Sequence, residues 1–286
     1  GLGVAQGGMV DTPDGDWYAF MFQDRGALGR APVLMPMHFE DGFPIIGGNG
    51  KVPEVVTVLD TGYQYAAING SDDFFYKPDE NGQITLKNFW EFNHQQMDDF
   101  WSVTENPGHL RLHSAKLSPT LFQAYNTLTQ RTVGPKCAAE VTLRFAHMKN
   151  GDVAGISTFI GNYGFTGVKK ENDQFYLIMM GRPAKDITVF GQFEYENPGL
   201  EYARVPIYGE SICLRAEADF TDKRDLSSFY YKEGDNWQKL GIDQPMYFKM
   251  DLFTGCRFGL FYYSTEQTGG YVDFSKFQFI WPEYVY

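Results

Sequence analysis

The sequence is poor in positive charge and has no long apolar run. A helix that crosses a membrane takes about 18 consecutive apolar residues or more, and no such run occurs. Lys and Arg number 24 against 36 Asp and Glu, a net charge of −12. A nucleic-acid partner needs a basic surface, so we expect neither nucleic-acid binding nor a membrane span. The first residues, GLGVAQGG, also lack the basic and apolar stretches of an export signal.

Residues that bind metals are few and scattered. Cys137, Cys213 and Cys256 lie far apart and show no CxxC spacing, so at most one disulfide can form and no zinc site is indicated. The five histidines form no ligand spacing beyond a loose pair, His109 and His113, which we assign to a turn and a strand.

Motifs that carry catalysis or bind cofactors are missing. The sequence has no glycine-rich phosphate loop, no HExxH and no GxSxG. Asp11, Asp14 and Asp16 imitate a calcium loop, but its other ligands are absent, so a hairpin turn is the better interpretation. We predict no cofactor and keep a structural calcium ion as an alternative.

Aromatic residues are abundant and indicate β structure. Phe (25) and Tyr (18) are typical of strands. Residues 140–147 and 211–220 alternate apolar with polar side chains, and residues 175–180 form a continuous apolar run typical of a central strand. Near Ser275 the apolar parity changes, which predicts a bulge. No amphipathic helix of 12 or more residues is evident, although residues 93–100 can form one or two turns.

The chain divides at a cluster of turn-forming residues, 47–53. We predict an incomplete first domain at 1–47, a linker at 48–83 and a β-sandwich at 84–286. The first segment reads as strands at 7–10 and 17–22 joined by a turn, and so small a sheet is marginal alone. We therefore expect that a preceding portion of the protein is missing.

Long segments of the chain resemble a known family. Residues 5–47, AQGGMVDTPDGDWYAFMFQDRGALGRAPVLMPMHFEDGFPIIG, resemble the last blade of the catalytic propeller in glycoside hydrolase family 43. The remainder is similar to the β-sandwich appended to β-xylosidase and α-L-arabinofuranosidase members of that family. The segments that carry this second resemblance are FWEFNHQQMDDFWSVTENPGHLRLHS (89–114), NTLTQRTVGP (126–135), MKNGDVAGIS (148–157), YGFTGVKK (163–170) and GCRFGLFYYSTEQTGGYVDFSKFQF (255–279).

The resemblance implies an all-β fold and a carbohydrate-active enzyme. It predicts a concanavalin-like two-sheet β-sandwich preceded by the last blade of a five-bladed β-propeller. In the family three acidic residues in earlier blades catalyse the inverting hydrolysis of pentosides, so this chain would lack them and be inactive alone. The resemblance also implies a secreted, periplasmic or cell-surface enzyme, and leaves open whether its substrate is a xyloside or an arabinofuranoside.

Two residues of the first segment are candidates for substrate binding. Arg30 matches an arginine that reaches the sugar in related xylosidases, although a surface arginine after a turn is the alternative. Gln6 occupies a position where many members have a histidine near the propeller axis, often close to an ion, and this departure puts that metal in doubt. Residues 126–135 are our candidate for a contact that closes the active-site pocket.

Two other functions remain open at this point. The sandwich can act as a lectin-like module that binds sugar through aromatic residues such as Trp90, Trp101 and Trp237. Residues 229–241 read equally well as a hairpin whose Trp packs inward, and the sandwich can also be a scaffold that braces the propeller.

The first segment is rich in apolar residues for which a single sheet offers no cover. We expect it to pack against the sandwich or a second copy of the chain, or to complement a missing N-terminal propeller portion. The expected partners are therefore this portion or copy and a pentose-containing oligo- or polysaccharide. The apolar residues concerned are Met9, Trp17, Phe20, Phe22, Val33 and Met35.

Overall fold

The chain folds into strands joined by turns. A computed structural model describes residues 3–48, 51–58, 60–183, 196–247 and 254–281. Within these ranges helical structure is limited to short 3-10 turns. No helix among these residues has the length and apolar character needed to cross a membrane.

Nineteen strands are present in the described residues. In chain order they are β1 Val4–Asp11, β2 Trp17–Asp24, β3 Arg30–Glu40, β4 Phe43–Ile46, β5 Glu91–Phe92, β6 Trp101–Ser102, β7 Leu110–His113, β8 Leu128–Arg131, β9 Lys136–Arg144, β10 Asp152–Phe159, β11 Gly164–Glu171, β12 Gln174–Gly181, β13 Leu200–Ile207, β14 Ser211–Asp219, β15 Leu226–Glu233, β16 Asn236–Lys239, β17 Gln244–Pro245, β18 Arg257–Ser264 and β19 Tyr271–Ile280. The 3-10 turns are Gly26–Leu28, Asp98–Phe100, Leu121–Gln123 and Thr221–Lys223.

The first four strands form a separate antiparallel sheet in the order β1-β2-β3-β4. The predicted hairpin is confirmed, and its turn is closed by Thr12, whose N–H donates to the Asp16 carbonyl at 2.8 Å. The Asp16 N–H donates in turn to Thr12 Oγ1 at 3.2 Å. These bonds are those of a hairpin turn, as the sequence predicted.

This first sheet leaves much of its apolar surface uncovered. Met9 and Phe20 are each 54% exposed, as expected for a sheet considered alone. Met35 differs from that expectation, because it is 3% exposed and clusters with Ala19 and Met37. One face therefore has a small core of its own.

The remaining strands form a two-sheet sandwich, which confirms the predicted all-β fold class. A seven-stranded sheet has the order β13-β12-β11-β10-β18-β8-β5, and an eight-stranded sheet has the order β16-β15-β14-β9-β19-β7-β6, with β17 paired to β15. The predicted alternation is confirmed, since Val141 and Leu143 of β9 and Leu214 and Ala216 of β14 are buried. The strand that was predicted to be central, β12, lies second from an edge.

A bulge in β19 keeps two phenylalanines on the core side, as the sequence predicted. Its register with β9 shifts between Ser275 and Gln278, and Lys276 takes a φ of 53°. The extra residue resets the alternation. Phe274 and Phe277 are both fully buried as a result.

Part of the predicted linker reaches into the sandwich core. Asp72 and Phe277 of β19 exchange backbone hydrogen bonds of 2.9 Å in both directions, and Phe74 is fully buried in the main core cluster. The proposed boundaries at 47 and 83 stay a prediction. The core nevertheless takes side chains from residues before 84.

Asp72 holds this segment in place through its buried carboxylate. The carboxylate accepts hydrogen bonds from Trp90 Nε1 at 2.8 Å and from the Phe74 N–H at 2.9 Å. It also pairs with Lys87 Nζ at 3.1 Å and accepts a short bond from the Tyr76 hydroxyl. Burial, followed by this bond to Asp72, raises the pKa of Tyr76.

The outer face of the seven-stranded sheet is covered by another segment of the chain, and the two form a second hydrophobic core. Residues 121–124, which include the 3-10 turn Leu121–Gln123, lie over side chains of β10, β11, β12 and β18. Phe165 and Phe261 are fully buried there and their ring centroids are 4.8 Å apart. This face is therefore closed by the chain itself.

We expect Asp72→Ala to lower the free energy of unfolding by about 3 kcal/mol, because several buried donors lose their acceptor. The neighbouring Asp73, which is exposed and bonds only the Phe75 N–H among the contacts described here, supplies the control. Asp73→Ala should cost less than about 1 kcal/mol. Urea unfolding compares the two variants, and equal losses would show that the Asp72 contacts do not anchor the segment.

Candidate functional site

The first sheet touches the sandwich through the 3-10 turn Gly26–Leu28. Ala27 is fully buried, its N–H donates to Asp225 Oδ2 at 2.9 Å, and its carbonyl accepts from the Cys256 N–H at 2.8 Å. Both backbone groups of Ala27 are thus satisfied by the sandwich, which fixes the turn in position. We call this contact the joint.

Two glycines let the backbones meet at the joint. Gly29 and Gly255 have φ values of 89° and 83°, a region that favours glycine. A Cβ on Gly29 would lie 2.6 Å from Gly255 Cα, and one on Gly255 would overlap the Leu28 carbonyl oxygen. Neither position leaves room for a side chain.

The segment 126–135, predicted as a contact with the propeller, reaches this joint at its end. A Cβ on Gly134 would lie 3.2 Å from Leu28 Cδ2. The preceding Val133 belongs to the sandwich core, and its N–H donates to Cys137 Sγ at 3.3 Å. The segment therefore contacts the first sheet, whereas its closing of a pocket stays a prediction.

Arg30 follows the joint directly, at the start of β3. Its Nε donates to Asp24 Oδ1 at 3.1 Å, and its guanidinium carbon lies 4.1 Å from the centroid of the Phe22 ring. The side chain is 19% exposed. An ion pair and a ring contact therefore hold a partly exposed guanidinium next to the turn that the sandwich fixes.

Gln6 lies at the same end of the sheet as Arg30. It is the extra residue of a bulge in β1 between Ala5 and Gly7, has a φ of 45°, and is exposed. Ala5 pairs with Phe22, whose ring lies under the Arg30 guanidinium. The fold thus brings both predicted substrate-binding positions to one end, although their role in binding stays a prediction.

The joint contains one acidic group whose pKa is shifted. Burial raises the pKa of Asp225, and the hydrogen bond from the Ala27 N–H opposes that rise. Asp225 and Ala27 are 198 residues apart in the sequence. Sequence patterns gave no signal for this pair, since neither residue belongs to a periodic stretch.

The residues considered as metal ligands do not converge. His113 lies at the end of β7 and His109 in the turn before it, as predicted. In the described ranges no three His, Cys, Asp or Glu side chains come together to hold a metal ion. Gln6, which is exposed, is not part of any such cluster. The three cysteines are free thiols, and burial raises the pKa of Cys137 to about 12.

The three tryptophans considered for sugar binding have different positions. Trp90 is buried in the core, and Trp101 packs beside Phe92 with ring centroids 5.1 Å apart. The predicted hairpin at 229–241 is confirmed as β15 and β16, but the inward orientation of its Trp is wrong. Trp237 is opposite Lys232 on the outer face of the eight-stranded sheet, because both residues share the parity that faces away from the core.

Residues 79–280 match the family described as the β-xylosidase C-terminal concanavalin A-like domain of the GH43 enzymes. The chain belongs to this family. The resemblance inferred from the sequence is thereby confirmed, and most of the sandwich falls inside the matched range.

Proteins similar to this member of the family include longer GH43 enzymes. A β-xylosidase of Formosa agariphila is 27% identical over 96% of this chain and 48% of its own length. The solved structure of a bifunctional GH43-CE protein of Bacteroides eggerthii is 38% identical, with a TM-score of 0.84 over 98% of this chain and 34% of that chain. An engineered GH43 glycoside hydrolase that displays endo-xylanase and exo-arabinofuranosidase activity is 28% identical, with a TM-score of 0.83 over 98% of this chain and 55% of that chain.

These similarities extend through the first sheet as well as the sandwich. The chain spans about half the length of the F. agariphila relative, 48%. Because its sandwich matches a family described as a C-terminal domain, the chain corresponds to the C-terminal part of such proteins.

We expect Asp225→Ala to loosen the joint and Asp225→Asn to preserve it, because the amide oxygen still accepts from the Ala27 N–H. Hydrogen exchange of the Ala27 amide should quicken by about tenfold in the alanine variant, from loss of one hydrogen bond. Unchanged exchange in Asp225→Ala would show that the bond does not hold the turn.

The wild type and Asp225→Asn should also differ in how their stability responds to pH. Because the folded pKa of Asp225 is raised, its stabilising contribution is present below the unfolded pKa and is lost as pH rises through the folded pKa. Across that window the wild type should lose stability relative to Asp225→Asn, which does not titrate. Urea unfolding at several pH values measures the difference.

Proposed function

We propose that this chain is the C-terminal part of an inverting glycoside hydrolase that acts on xylan- or arabinan-type pentosides. The observation that carries the proposal is the similarity of nearly the whole chain, first sheet and sandwich together, to the C-terminal part of GH43 enzymes. In this proposal the general acid and base belong to the portion of the protein outside this chain. Its first sheet is then the last blade of a propeller.

The role proposed for Arg30 is to bind the sugar near the cleavage point. A guanidinium carries its donors in a planar fork that suits two neighbouring hydroxyls. The pairing with Asp24 and the contact with Phe22 support this role, because they limit the positions that the side chain can take. Gln6 is the second proposed contact, from the same end of the sheet.

The role proposed for the sandwich is to fix the turn that precedes Arg30. The joint at Ala27 supports this role, since Asp225 and Cys256 bind the backbone three residues before the guanidinium. Positioned groups speed a reaction only when their geometry is held. Bracing and sugar hydrolysis are therefore parts of one proposal.

The exposed apolar residues of the first sheet support a protein partner for it. Phe43 is 71% exposed and Met9 and Phe20 are exposed as well. The missing propeller portion is the partner we propose, with a second copy of the chain as the alternative. We further propose a secreted, periplasmic or cell-surface location, which rests on the family resemblance alone.

We expect this chain alone to release no p-nitrophenol from p-nitrophenyl xyloside or arabinofuranoside above background. Each missing proton-transfer group normally supplies about 10²- to 10⁴-fold. Adding the upstream part of the protein, either in one chain or as a separate polypeptide, should restore turnover. The preferred substrate then distinguishes xylosidase from arabinofuranosidase.

Turnover by the pure chain that is abolished by changing one of its own Asp or Glu residues would contradict the assignment of the catalytic groups. A longer protein that folds but hydrolyses neither substrate would contradict the proposed activity.

In the longer enzyme, Arg30→Ala should lower kcat/KM by about 10- to 100-fold, the cost of losing hydrogen bonds from a charged donor. Arg30→Lys keeps the charge but loses the fork, so it should recover only part of the activity. Arg25→Ala is the control, because Arg25 is exposed in the same loop. An effect of Arg25→Ala as large as that of Arg30→Ala would indicate disturbance of the loop and not loss of a sugar contact.

A further inference from the structure

The outer face of the eight-stranded sheet contains an open cleft in the described structure. The cleft has a volume of about 210 Å³ and crosses β9, β14 and β15. Its floor includes Ala138, which is opposite Glu217 on β14 and Ile280 on β19. Because the side chain of Ala138 is only a methyl group and its neighbours have longer side chains, a depression remains at this position.

Charges in the cleft balance and are held in ion pairs. Three basic residues and three acidic residues line it, so its formal charge is zero although the chain carries −12. Asp219 pairs with Lys136 at 3.0 Å and with Arg224 at 3.4 Å. Arg215 pairs with Glu217 at 2.6 Å. The cleft thus offers hydrogen-bond donors and acceptors that are held in place, and its lining carries no net charge.

An aromatic ring extends the cleft at the end remote from Asp219. The guanidinium carbon of Arg215 lies 5.8 Å from the centroid of the Trp237 ring. Lys232 Nζ lies 5.9 Å from the same ring, which is only partly buried. By the strand pairing, Trp237 is level with a point on β14 that lies six residues before Asp219. The surface between them is therefore about 20 Å long. We call this surface the outer track.

The outer track ends beside the joint. Arg224 lines the cleft, and the next residue, Asp225, holds the turn that precedes Arg30. A chain bound along the track therefore lies close to the end of the first sheet where Arg30 and Gln6 are found.

We propose that the outer track binds a neutral pentose oligosaccharide of the xylan type, a site separate from the one proposed around Arg30. Hydroxyl groups both donate and accept, which matches paired carboxylates and guanidinium groups, and the apolar face of a sugar ring packs on Trp237. A zero formal charge favours a neutral ligand over a polyanion. The choice of pentose rests on the proposed function.

The test is a titration of this chain with xylohexaose, followed by calorimetry and by the indole Nε1–H resonances of the tryptophans. Trp237 should shift on saturation while the buried Trp90 does not. Trp237→Ala should weaken binding by about tenfold and Trp237→Phe by less, because the phenyl ring keeps part of the stacking. Tyr208→Ala is the matched control, since Tyr208 is 85% exposed in the loop between β13 and β14.

A second variant fills the cleft without removing a polar group. Ala138→Met should place its side chain over the floor and abolish binding while the melting temperature stays unchanged. Binding of xylohexaose that survives Ala138→Met and Trp237→Ala in folded protein would overturn the proposal. So would the absence of heat and of any Trp237 shift at millimolar xylohexaose.

Further arms test the ligand class. Maltohexaose that binds as tightly would overturn the preference for pentose, and polygalacturonate that binds more tightly would overturn the neutral ligand. In the longer protein, a Trp237 resonance that no longer responds to xylohexaose would overturn the proposal, because the track would then be covered by another part of the protein.

Failure of the track and failure of the proposed function are distinguishable. A longer enzyme that cleaves p-nitrophenyl pentosides although this chain binds no xylohexaose would refute the track alone. Binding by this chain together with an inactive longer protein would refute the activity alone.

Discussion

The structure depends on one buried contact, the joint at Ala27. Both polar backbone groups of this residue bind the sandwich, one through Asp225 and one through Cys256. Buried backbone groups that lose their partners are costly, so the turn has one favourable position. The small first sheet, with little core of its own, is thereby tied to a large one. The position of Arg30 follows from that tie.

The sandwich uses its two outer faces differently. On the seven-stranded sheet the chain folds back over the strands and fills the space with aromatic rings such as Phe165 and Phe261. On the eight-stranded sheet, ion pairs and a small residue at Ala138 leave a polar depression. A likeness to lectin-type sandwiches does not by itself say which face can meet a ligand. Here packing closes one face and leaves the other accessible in the described part of the chain.

Local patterns predicted the sandwich well, and contacts between distant residues were beyond their reach. Alternation in β9 and β14 and the parity change near Ser275 report burial directly, because one face of each strand meets the core. The Asp225 contact with Ala27 joins turns 198 residues apart and leaves no periodic trace. The orientation of Trp237 depended on the register of β15 with β16, which the hairpin sequence alone did not fix.

The glycine pair at the joint has a consequence for how such proteins are recombined. Gly29 and Gly255 meet through their backbones, so much of the fit depends on the absence of side chains. A surface of this kind tolerates drift in neighbouring side chains, yet one added methyl group at either position separates the two units. Chimeras that exchange sandwiches between related enzymes therefore need matched glycines on both sides of the fusion more than they need overall similarity.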